Sequence, residues 1–233
     1  MKDQFLRSKI LLGDDAFLRL SASRAAVFGI GGVGGYAAEA LVRTGIGAID
    51  IIDKDTIDIT NINRQIIADT QTVGLDKVSA AADRLLRINP SLRIAPIKMF
   101  YLPENAESID LSAYGCIIDA MDNVTAKIEL ICRASELGVP VISCMGTGNK
   151  LHPELLEAAD IYSTSVCPLA RVMRRELKRR GISKLRVVYS KEEPLKSVID
   201  ENGRHAPASA VFVPASAGML LAAEAVRIIC GIG

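Results

Sequence analysis

The sequence predicts an α/β protein with a mostly parallel sheet and helices on both faces. Short apolar runs, typical of buried strands, alternate along the chain with longer segments of helical periodicity. Several of the runs end in glycine or in an acidic residue, where the loops of a parallel sheet begin. Right-handed crossovers place the carboxyl ends of parallel strands at one edge. We therefore expect the polar residues of these loops to lie together.

The elements follow in order from an amphipathic, helical lead-in over residues 1–23. Predicted strands occupy residues 25–30, 48–53, 92–97, 116–119 and 139–144, and predicted helices occupy residues 36–43, 76–88 and 124–137. We expect residues 1–148 to contain the lead-in and the nucleotide-binding core. Residues 149–233 are expected to be a small extension that packs on the same domain, on its substrate side.

The extension is predicted to contain a few strands and a basic helix. The strands are predicted at 157–163 and 185–190, the basic helix at 168–180, and a polar surface loop at 192–207. Residues after 208 are apolar enough to suggest a membrane helix, but Pro214 and Gly218 interrupt the start and two charges follow. We therefore expect a buried core helix over residues 215–230.

A glycine-rich loop, GIGGVGG, lies between the first predicted strand and the next helix. It places Gly29, Gly31, Gly32 and Gly34 where the backbone can approach a phosphate closely, at a helix N-terminus that supplies amide donors. Asp53 ends the second predicted strand and can accept hydrogen bonds from ribose hydroxyls. Together these features predict a nucleotide site in a Rossmann-like domain.

The residues that follow the second strand favour a triphosphate over a dinucleotide. They are Asp55, Asn61, Arg64, Gln65 and, twelve residues beyond the glutamine, Lys77. A triphosphate attacked at its α-phosphorus gains charge on its phosphoryl oxygens, which fixed cations such as Arg64 and Lys77 stabilise. Asn61 and Gln65 can orient polar atoms nearby. Taken singly, either cation could equally be a solvated surface charge.

Asp122 follows another predicted strand, in the segment DAMDN. Mg²⁺ usually takes one or two protein carboxylates together with phosphate oxygens, so Asp122 is the candidate metal ligand and a candidate catalytic residue. Alternatively, Asp122 or Asn123 caps the next helix, as such residues often do. Asp119 is predicted to be a strand-end or helix-cap residue.

Together these residues resemble the family of ubiquitin-activating-like adenylating enzymes. The resemblance covers residues 12–148 and includes GIGGVGG, IIDKDTIDITNINRQ, VGLDKV, RINP and DAMDN. It implies ATP and Mg²⁺ as ligands, with the adenylation residues at Gly32, Asp53, Asn61, Arg64, Gln65, Lys77 and Asp122. It also implies a homodimer in which an N-terminal arginine reaches the ATP site of the partner subunit. Arg7 is the candidate for that catalytic arginine.

Within that family the chain looks most like the tRNA threonylcarbamoyladenosine dehydratases. The resemblance continues through MGTGNKLHPELLEAADIYSTS, PLARVMRRELKRRGI and the apolar PASAG segment. Such enzymes use ATP to adenylate the carboxylate of a threonylcarbamoyl group on the adenosine beside a tRNA anticodon, and the group then cyclises with net loss of water. The resemblance implies tRNA as the partner, with neither DNA nor a membrane.

Basic residues are concentrated between residues 171 and 186, where eight basic side chains accompany one acid. In a chain of net charge +1, this cluster is an electrostatic footprint for a phosphate backbone. The candidate RNA contacts are Arg171, Arg174, Arg175, Lys178 and Arg179. The alternative is a solvated amphipathic helix with Val172 and Leu177 turned inward.

Three other functions remain open: adenylation of a ubiquitin-like sulfur carrier's C-terminal glycine, NAD-dependent oxidoreduction, and nucleotide-dependent docking without catalysis. Enzymes of the first kind commonly carry paired C-x-x-C zinc ligands, which this sequence lacks, so no structural zinc is expected. Arg64 and Lys77 argue against oxidoreduction with NAD. So does the lack of an obvious acid–base partner, since the only histidines, His152 and His205, both lie in predicted loops. Docking alone stays open because binding and adenylation residues largely coincide.

The five cysteines bear on sulfur chemistry and on location. Pro214 stands where some family members carry a sulfur-handling cysteine, which argues against a relay at that position. Whether a sulfur-relay or carrier protein takes part, and whether Cys167 or Cys144 is reactive, the sequence leaves open. Cys144 is expected to be a small buried residue. Scattered cysteines and the want of an export leader predict a cytoplasmic protein.

Overall fold

A computed structural model describes residues 3–196 and 208–232. Its strands are β1 (Arg24–Phe28), β2 (Ala48–Asp53), β3 (Arg93–Lys98), β4 (Cys116–Asp119), β5 (Val141–Cys144), β6 (Leu156–Asp160) and β7 (Arg186–Ser190). Its helices are α1 (Leu6–Leu12), α2 (Asp14–Ala22), α3 (Gly34–Thr44), α4 (Lys77–Ile88), α5 (Val124–Glu136), α6 (Pro168–Arg179) and α7 (Phe212–Cys230). Residues 197–207, which include His205 and most of the predicted polar loop, lie outside the described part.

The strands form one sheet in the order β3-β2-β1-β4-β5-β7-β6. Every neighbouring pair is parallel except β6 and β7, which are antiparallel at one edge. The chain leaves β1 toward β2 on one side and returns to β4 on the other, so a crevice opens where the strand order reverses. The predicted α/β class with a mostly parallel sheet is confirmed.

Helices cover both faces of the sheet, as predicted. One apolar cluster joins the sheet to α2, α3, α4 and α7, and the other joins it to α5 and α6. The C-terminal segment continues the same sheet, because β7 pairs with β5 and β6 pairs with β7. Its strands are shorter than predicted: the run expected over 157–163 ends at Asp160, where a 3₁₀ turn begins.

The last helix, α7, is long and apolar enough to span a membrane, yet half of it is buried inside the protein. It packs mainly against α3 and also contacts the sheet. It is therefore the core helix that the sequence predicts, although it starts at Phe212 and is not interrupted. Pro214 lies in the first turn, where a missing N–H breaks no helical hydrogen bond.

Gly218, the other expected interruption, is a point of close packing. A Cβ at this position would lie 2.4 Å from the carbonyl oxygen of Val33 and 2.8 Å from Cβ of Tyr36. Glycine therefore lets α7 lie directly against the start of α3. The predicted core helix over residues 215–230 is therefore present, and it begins three residues earlier, at Phe212.

Candidate functional site

A cleft of about 870 Å³ opens at the carboxyl edge of the sheet. It is lined by the loops that follow β1, β2, β3, β4 and β5, together with the start of α6 and residues near the start of α7. Its volume is within the usual range for small-ligand sites. The cleft brings together the predicted nucleotide-site residues Gly29, Gly31, Gly32, Asp53, Asp55, Asn61, Arg64, Gln65, Lys77 and Asp122.

The glycine loop is held against the loop that follows β4. Gly29 has φ +89°, and a Cβ there would lie 2.7 Å from the carbonyl oxygen of Ala120. A Cβ on Gly34, the first residue of α3, would lie 1.8 Å from the oxygen of Gly29. Gly31 and Gly32 border the cleft. Side chains at Gly29 and Gly34 would push the loop away from the sheet, and the N-terminus of α3 with it.

Asp53 connects the end of β2 to the glycine loop. One carboxylate oxygen accepts a 2.6 Å hydrogen bond from the amide of Ile30, and the other accepts a 2.9 Å bond from the amide of Asp55. Each oxygen keeps a further lone pair, so the group can still accept hydrogen bonds from a ribose at the cleft.

Lys77 begins α4 and is only 7% exposed. Its Nζ donates to Asp55 at 2.9 Å, and Lys54 donates to the other oxygen of the same carboxylate at 2.7 Å. Burial alone would raise the pKa of Asp55, but the hydrogen bonds from Lys54 and Lys77 outweigh it and lower that pKa. An ionised Asp55 therefore holds the Lys77 ammonium at the cleft wall.

Arg64 and Gln65 lie on the turn that follows the 3₁₀ segment Ile59–Asn61. The Arg64 guanidinium donates to the carbonyl oxygen of Thr60 at 2.8 Å and to Oδ1 of Asn63 at 3.0 Å. Asn61 shapes the turn, because its Oδ1 accepts from the amide of Asp58 at 3.1 Å. Gln65 is 6% exposed, and its Oε1 has no hydrogen-bond partner among the described residues. A buried acceptor of this kind needs a donor, which a ligand can supply.

Asp122 is an exposed carboxylate at the cleft wall. The helix cap is Asn123, whose side chain accepts from the amide of Ala126 at 2.9 Å, so Asp122 is not needed for capping. No three metal-binding side chains gather in the described part of the chain. That arrangement fits Mg²⁺ held by one carboxylate and nucleotide phosphates, because Mg²⁺ rarely depends on an all-protein cage.

Asp119 ends β4, which is the first of its two predicted roles, and it is also half of a buried ion pair under the cleft. It accepts hydrogen bonds from Nζ of Lys127 at 2.9 Å and Oγ of Ser143 at 2.6 Å, and both charged side chains are 0% exposed. Lys127 also donates to the carbonyl oxygen of Cys144 at 2.8 Å. The pair thus ties β4, β5 and α5 together. The sequence did not single out Lys127, because its burial depends on the packing of α5 against the sheet.

The part of the cleft beyond β5 contains Lys150, which the sequence did not single out, and Cys144 and Cys167, which it did. Lys150 is 4% exposed, and its Nζ lies 3.4 Å from the carbonyl oxygen of Ser190. Cys167 precedes α6 and is buried, as is Cys144, the small buried residue that was predicted. Burial raises the pKa of the Cys144 thiol to about 12. Cys144 is therefore an inert thiol at neutral pH.

The other candidate residues lie outside the cleft. Arg7 is exposed on α1. On α6, Arg171, Arg175, Lys178 and Arg179 are exposed, whereas Arg174 turns back and donates to the carbonyl oxygen of Thr164 at 3.0 Å. The helix is amphipathic, but its inner face carries Met173 and Leu177. Val172, which was expected inside, is on the exposed side.

A glycine loop, an acid at the end of the second strand and two cations in one cleft are characteristic of a nucleotide-binding α/β protein of the Rossmann-like type. The ThiF family matches residues 5–233, which is nearly the whole chain. The chain belongs to the ThiF family.

Two relatives are similar along nearly the full length of the chain. The chain is 38% identical to the tRNA threonylcarbamoyladenosine dehydratase of Bacillus subtilis, over 97% of this chain and 94% of that protein. It superposes on crystal structures of the E. coli tRNA N6-threonylcarbamoyladenosine dehydratase with AMP and with ATP, at TM-scores of 0.90 and 0.87. Each match is 32% identical and covers 98% of this chain and 94% of the other.

Similarity to enzymes that act on other substrates is more limited in extent. The molybdopterin-synthase adenylyltransferase of Salmonella typhimurium is 34% identical over 53% of this chain and 49% of that protein.

Proposed function

We propose that this protein is an ATP-dependent tRNA threonylcarbamoyladenosine dehydratase. The observation that carries the proposal is the extent of the similarity: the dehydratase of Bacillus subtilis matches 97% of this chain, whereas a molybdopterin-synthase adenylyltransferase matches 53%. A shared nucleotide core alone would give the shorter match. Similarity that includes β6, β7 and α6 favours the tRNA substrate over a sulfur-carrier protein.

Adenylation replaces hydroxide, which is a poor leaving group, with AMP, which is a good one. A carboxylate oxygen of the threonylcarbamoyl group bonds to the α-phosphorus of ATP, and the bond from that phosphorus to the bridging oxygen breaks, releasing pyrophosphate. An internal nucleophile then attacks the acyl carbon, and AMP leaves with the original carboxylate oxygen. The net change in the modified nucleoside is loss of water.

The cleft residues divide between binding and charge stabilisation. Gly31 and Gly32 present backbone to the phosphates at the start of α3, and Asp53 accepts from the ribose. Arg64 and Lys77 stabilise the charge that grows on the α-phosphoryl oxygens during attack. Gln65, whose Oε1 has no partner in the described part of the chain, and Asn61 orient the polar groups around them.

Mg²⁺ is proposed as the accompanying metal, with Asp122 as its protein ligand. The bound ion would neutralise phosphate charge. The support is the exposed position of Asp122 at the cleft, free of the capping role that Asn123 fills.

The exposed basic side chains of α6 are the proposed contact for tRNA phosphates. The helix begins at the cleft, since Cys167, Pro168 and Leu169 line it, and its arginines and lysine extend outward from there. RNA bound along α6 can therefore place a modified base at the reaction site. Arg174 contributes less directly, because it holds the turn at Thr164.

A homodimer is proposed, with Arg7 reaching the partner's site. In α1 no residue is buried, and Ile10 and Leu11 are 75% and 85% exposed. Apolar side chains on a helix next to Arg7 suit an interface between two copies. We also propose a cytoplasmic location and the division into a nucleotide part, residues 1–148, and a substrate part, residues 149–233.

Purified protein, ATP–Mg²⁺ and tRNA carrying threonylcarbamoyladenosine test the function directly. Mass spectrometry of the digested nucleosides should show a product lighter by one water, together with AMP and pyrophosphate. NAD should bind only weakly in a parallel calorimetric titration. Tight NAD binding without ATP binding would contradict adenylation. Product formation from a sulfur-carrier protein but not from tRNA would favour the other substrate class.

A further inference from the structure

Three lysines of the described chain are buried, and one of them differs from the others in its partners. Lys77 donates to the carboxylate of Asp55 at 2.9 Å, and Lys127 donates to the carboxylate of Asp119 at 2.9 Å. Lys150 is 4% exposed and forms no ion pair among the described residues. Its one hydrogen bond there is a long one, 3.4 Å to the carbonyl oxygen of Ser190.

The nearest acidic neighbour does not neutralise this ammonium by contact. Glu192 is buried, and its carboxylate accepts hydrogen bonds from the amides of Leu151 and His152 at 2.8–3.1 Å. Burial lowers the pKa of Lys150, and the neighbouring Cys167, Glu192 and Cys144 act weakly in the opposite direction. An ammonium that has left water needs an anion close by.

Lys150 lines the same cleft as the nucleotide residues, but on the other side of the crevice. Gly31 and Gly32 follow β1, and Asp53 ends β2, whereas Lys150 follows β5 and donates to the last residue of β7. Two strand spacings separate β1 from β5, which is roughly 10 Å. A nucleotide on the glycine loop therefore leaves the Lys150 side of the cleft for the other reactant.

The backbone around this side of the cleft is held in unusual conformations. Asn149, directly before Lys150, has φ +58°, and Val166, directly before Cys167, has φ +60°. The left-handed region is costly for a β-branched residue such as valine and is found mainly where the surrounding structure enforces it. Each of the two residues directly precedes a side chain that lines the cleft, Lys150 or Cys167. Strained backbone of this kind is often found at binding sites.

We propose that Lys150 binds the carboxylate of the acyl substrate and positions one of its oxygens toward the α-phosphorus of ATP. This inference rests on the proposed function and adds to it a substrate-binding residue outside the nucleotide set. Lys150 acts before the chemical step: the carboxylate oxygen that it orients forms the bond to phosphorus, and pyrophosphate leaves as described above. The ammonium keeps its proton throughout.

The test compares two RNA probes that differ only in the carboxylate. One is an anticodon stem-loop that carries threonylcarbamoyladenosine, and the other is its methyl ester. Their phosphates are identical, so the ratio of their affinities isolates the carboxylate contact. The wild-type protein should bind the acid about tenfold or more tightly than the ester, as expected for a hydrogen bond to a charged group.

In Lys150→Met, which removes the charge and keeps the length, the affinity ratio should fall to about one while ATP affinity stays unchanged. Lys191→Met is the matched control, because Lys191 is exposed, lies one residue beyond Ser190 and pairs with Glu157 outside the cleft. The control should keep the wild-type ratio. A Lys150→Met variant with the wild-type ratio, or with equally weakened ATP binding, would overturn the proposal.

A second measurement applies if Lys150→Met melts at assay temperature. In the wild-type protein, the acid-to-ester ratio should decline as the pH rises through the lowered pKa of Lys150. A ratio that stays constant up to the ordinary lysine pKa of 10.5 would overturn the assignment. In Cys167→Ser, which removes the neighbouring thiol, the same decline of the affinity ratio with pH should persist. Its persistence would assign the pH dependence to Lys150.

Failure of the proposed function gives a different result. If the wild-type protein releases no AMP with the acid probe and forms no cyclised nucleoside, the dehydratase proposal fails and the role of Lys150 falls with it. If the wild-type protein cyclises the probe and Lys150→Met retains the affinity ratio, only the role of Lys150 is contradicted.

Discussion

At the scale of single residues, the cleft is a set of charged groups whose partners are already arranged. Lys77 is held by Asp55, and Asp53 is held by backbone amides of the glycine loop and of Asp55. Groups fixed in this way need little reorganisation when charge develops on a phosphate. Arg64 differs, because its guanidinium is exposed and bonded to its own turn.

Arg64→Ala and Lys77→Ala should each slow adenylation more than they weaken ATP binding. Loss of one preorganised donor typically costs on the order of 10²-fold in rate. Single-turnover release of pyrophosphate measures the chemical step, and calorimetry measures the affinity for ATP. Lys54→Ala is the control, because Lys54 pairs with the carboxylate of Asp55, as Lys77 does, but from its exposed side. Wild-type turnover in both test variants would show that their assigned roles are wrong.

The buried pair of Lys127 and Asp119 gives a prediction about stability. Lys127→Met should lower the free energy of unfolding by about 3–5 kcal/mol, because it leaves a buried carboxylate without its cation. The double variant with Asp119→Asn should lose less than the sum of the two single variants. Urea unfolding of the four proteins measures this coupling. Additive losses would mean that the pair contributes nothing as a pair.

At the scale of elements, two helices connect the two ends of the cleft, the glycine loop and the start of α6, to the rest of the fold. The first, α7, lies against α3 at Gly218, next to the loop that precedes α3. The other, α6, buries Ala170, Met173 and Leu177 and leaves its basic side chains in solvent. Packing of α7 therefore supports nucleotide binding, and the outer face of α6 is available to a partner.

Gly218→Ala should destabilise the protein by about 1–3 kcal/mol, although alanine is the better helix former. The added methyl group would meet the carbonyl oxygen of Val33, so the start of α3 must shift. ATP affinity should fall along with the midpoint of thermal unfolding. Met219→Ala, at the neighbouring exposed position, is the control and should leave ATP affinity unchanged. An equally stable Gly218→Ala variant would contradict the close packing.

Charge reversal on α6 tests the proposed RNA contact. Arg171→Glu with Lys178→Glu should weaken tRNA binding and reduce the slope of log affinity against log salt by about two, roughly one for each lost phosphate contact. Both residues are exposed and form no ion pair in the described part of the chain. The control is Arg87→Glu with Arg93→Glu, exposed at α4 and β3. Equal salt slopes in the two double variants would remove α6 from the interface.

At the scale of the whole molecule, the lead-in is the feature that a single copy does not explain. Exposed Leu6, Ile10 and Leu11 project from α1, which buries no residue of its own. A twofold dimer would cover this face and would place each Arg7 near the other subunit.

Two inactive variants, Arg7→Ala and Lys77→Ala, should restore activity when mixed. In a mixed dimer, one site combines Lys77 of its own subunit with Arg7 of the other. Random pairing should therefore recover about a quarter of wild-type activity. Turnover after mixing measures the recovery, and light scattering should give the mass of a dimer. A monomer that stays fully active after deletion of residues 1–10 would rule out this arrangement.

Local sequence patterns were sufficient for the sheet and for the nucleotide loop. The strands Ala48–Asp53 and Cys116–Asp119 were predicted with the bounds that the structure has, because alternating strand and helix periodicity is a property of neighbouring residues. Gly29, Gly34 and Asp53 are equally local, since each is set by its place at the end of a strand or the start of a helix. The α/β class followed from these signals.

The tertiary structure alone decided the roles that depend on packing. It paired Asp119, a strand-end residue, with Lys127, turned Arg174 back to Thr164, and packed Gly218 closely against the start of α3. It also buried Lys150 at the cleft without an ion pair to any residue that the structure describes. Asp119 and Lys127 are only eight residues apart, and Thr164 and Arg174 only ten, yet burial and pairing depend on packing that forms when the strands assemble, which a local pattern does not encode. What the sequence by itself determined is which residues stand at the strand ends; which of them touch was decided by packing.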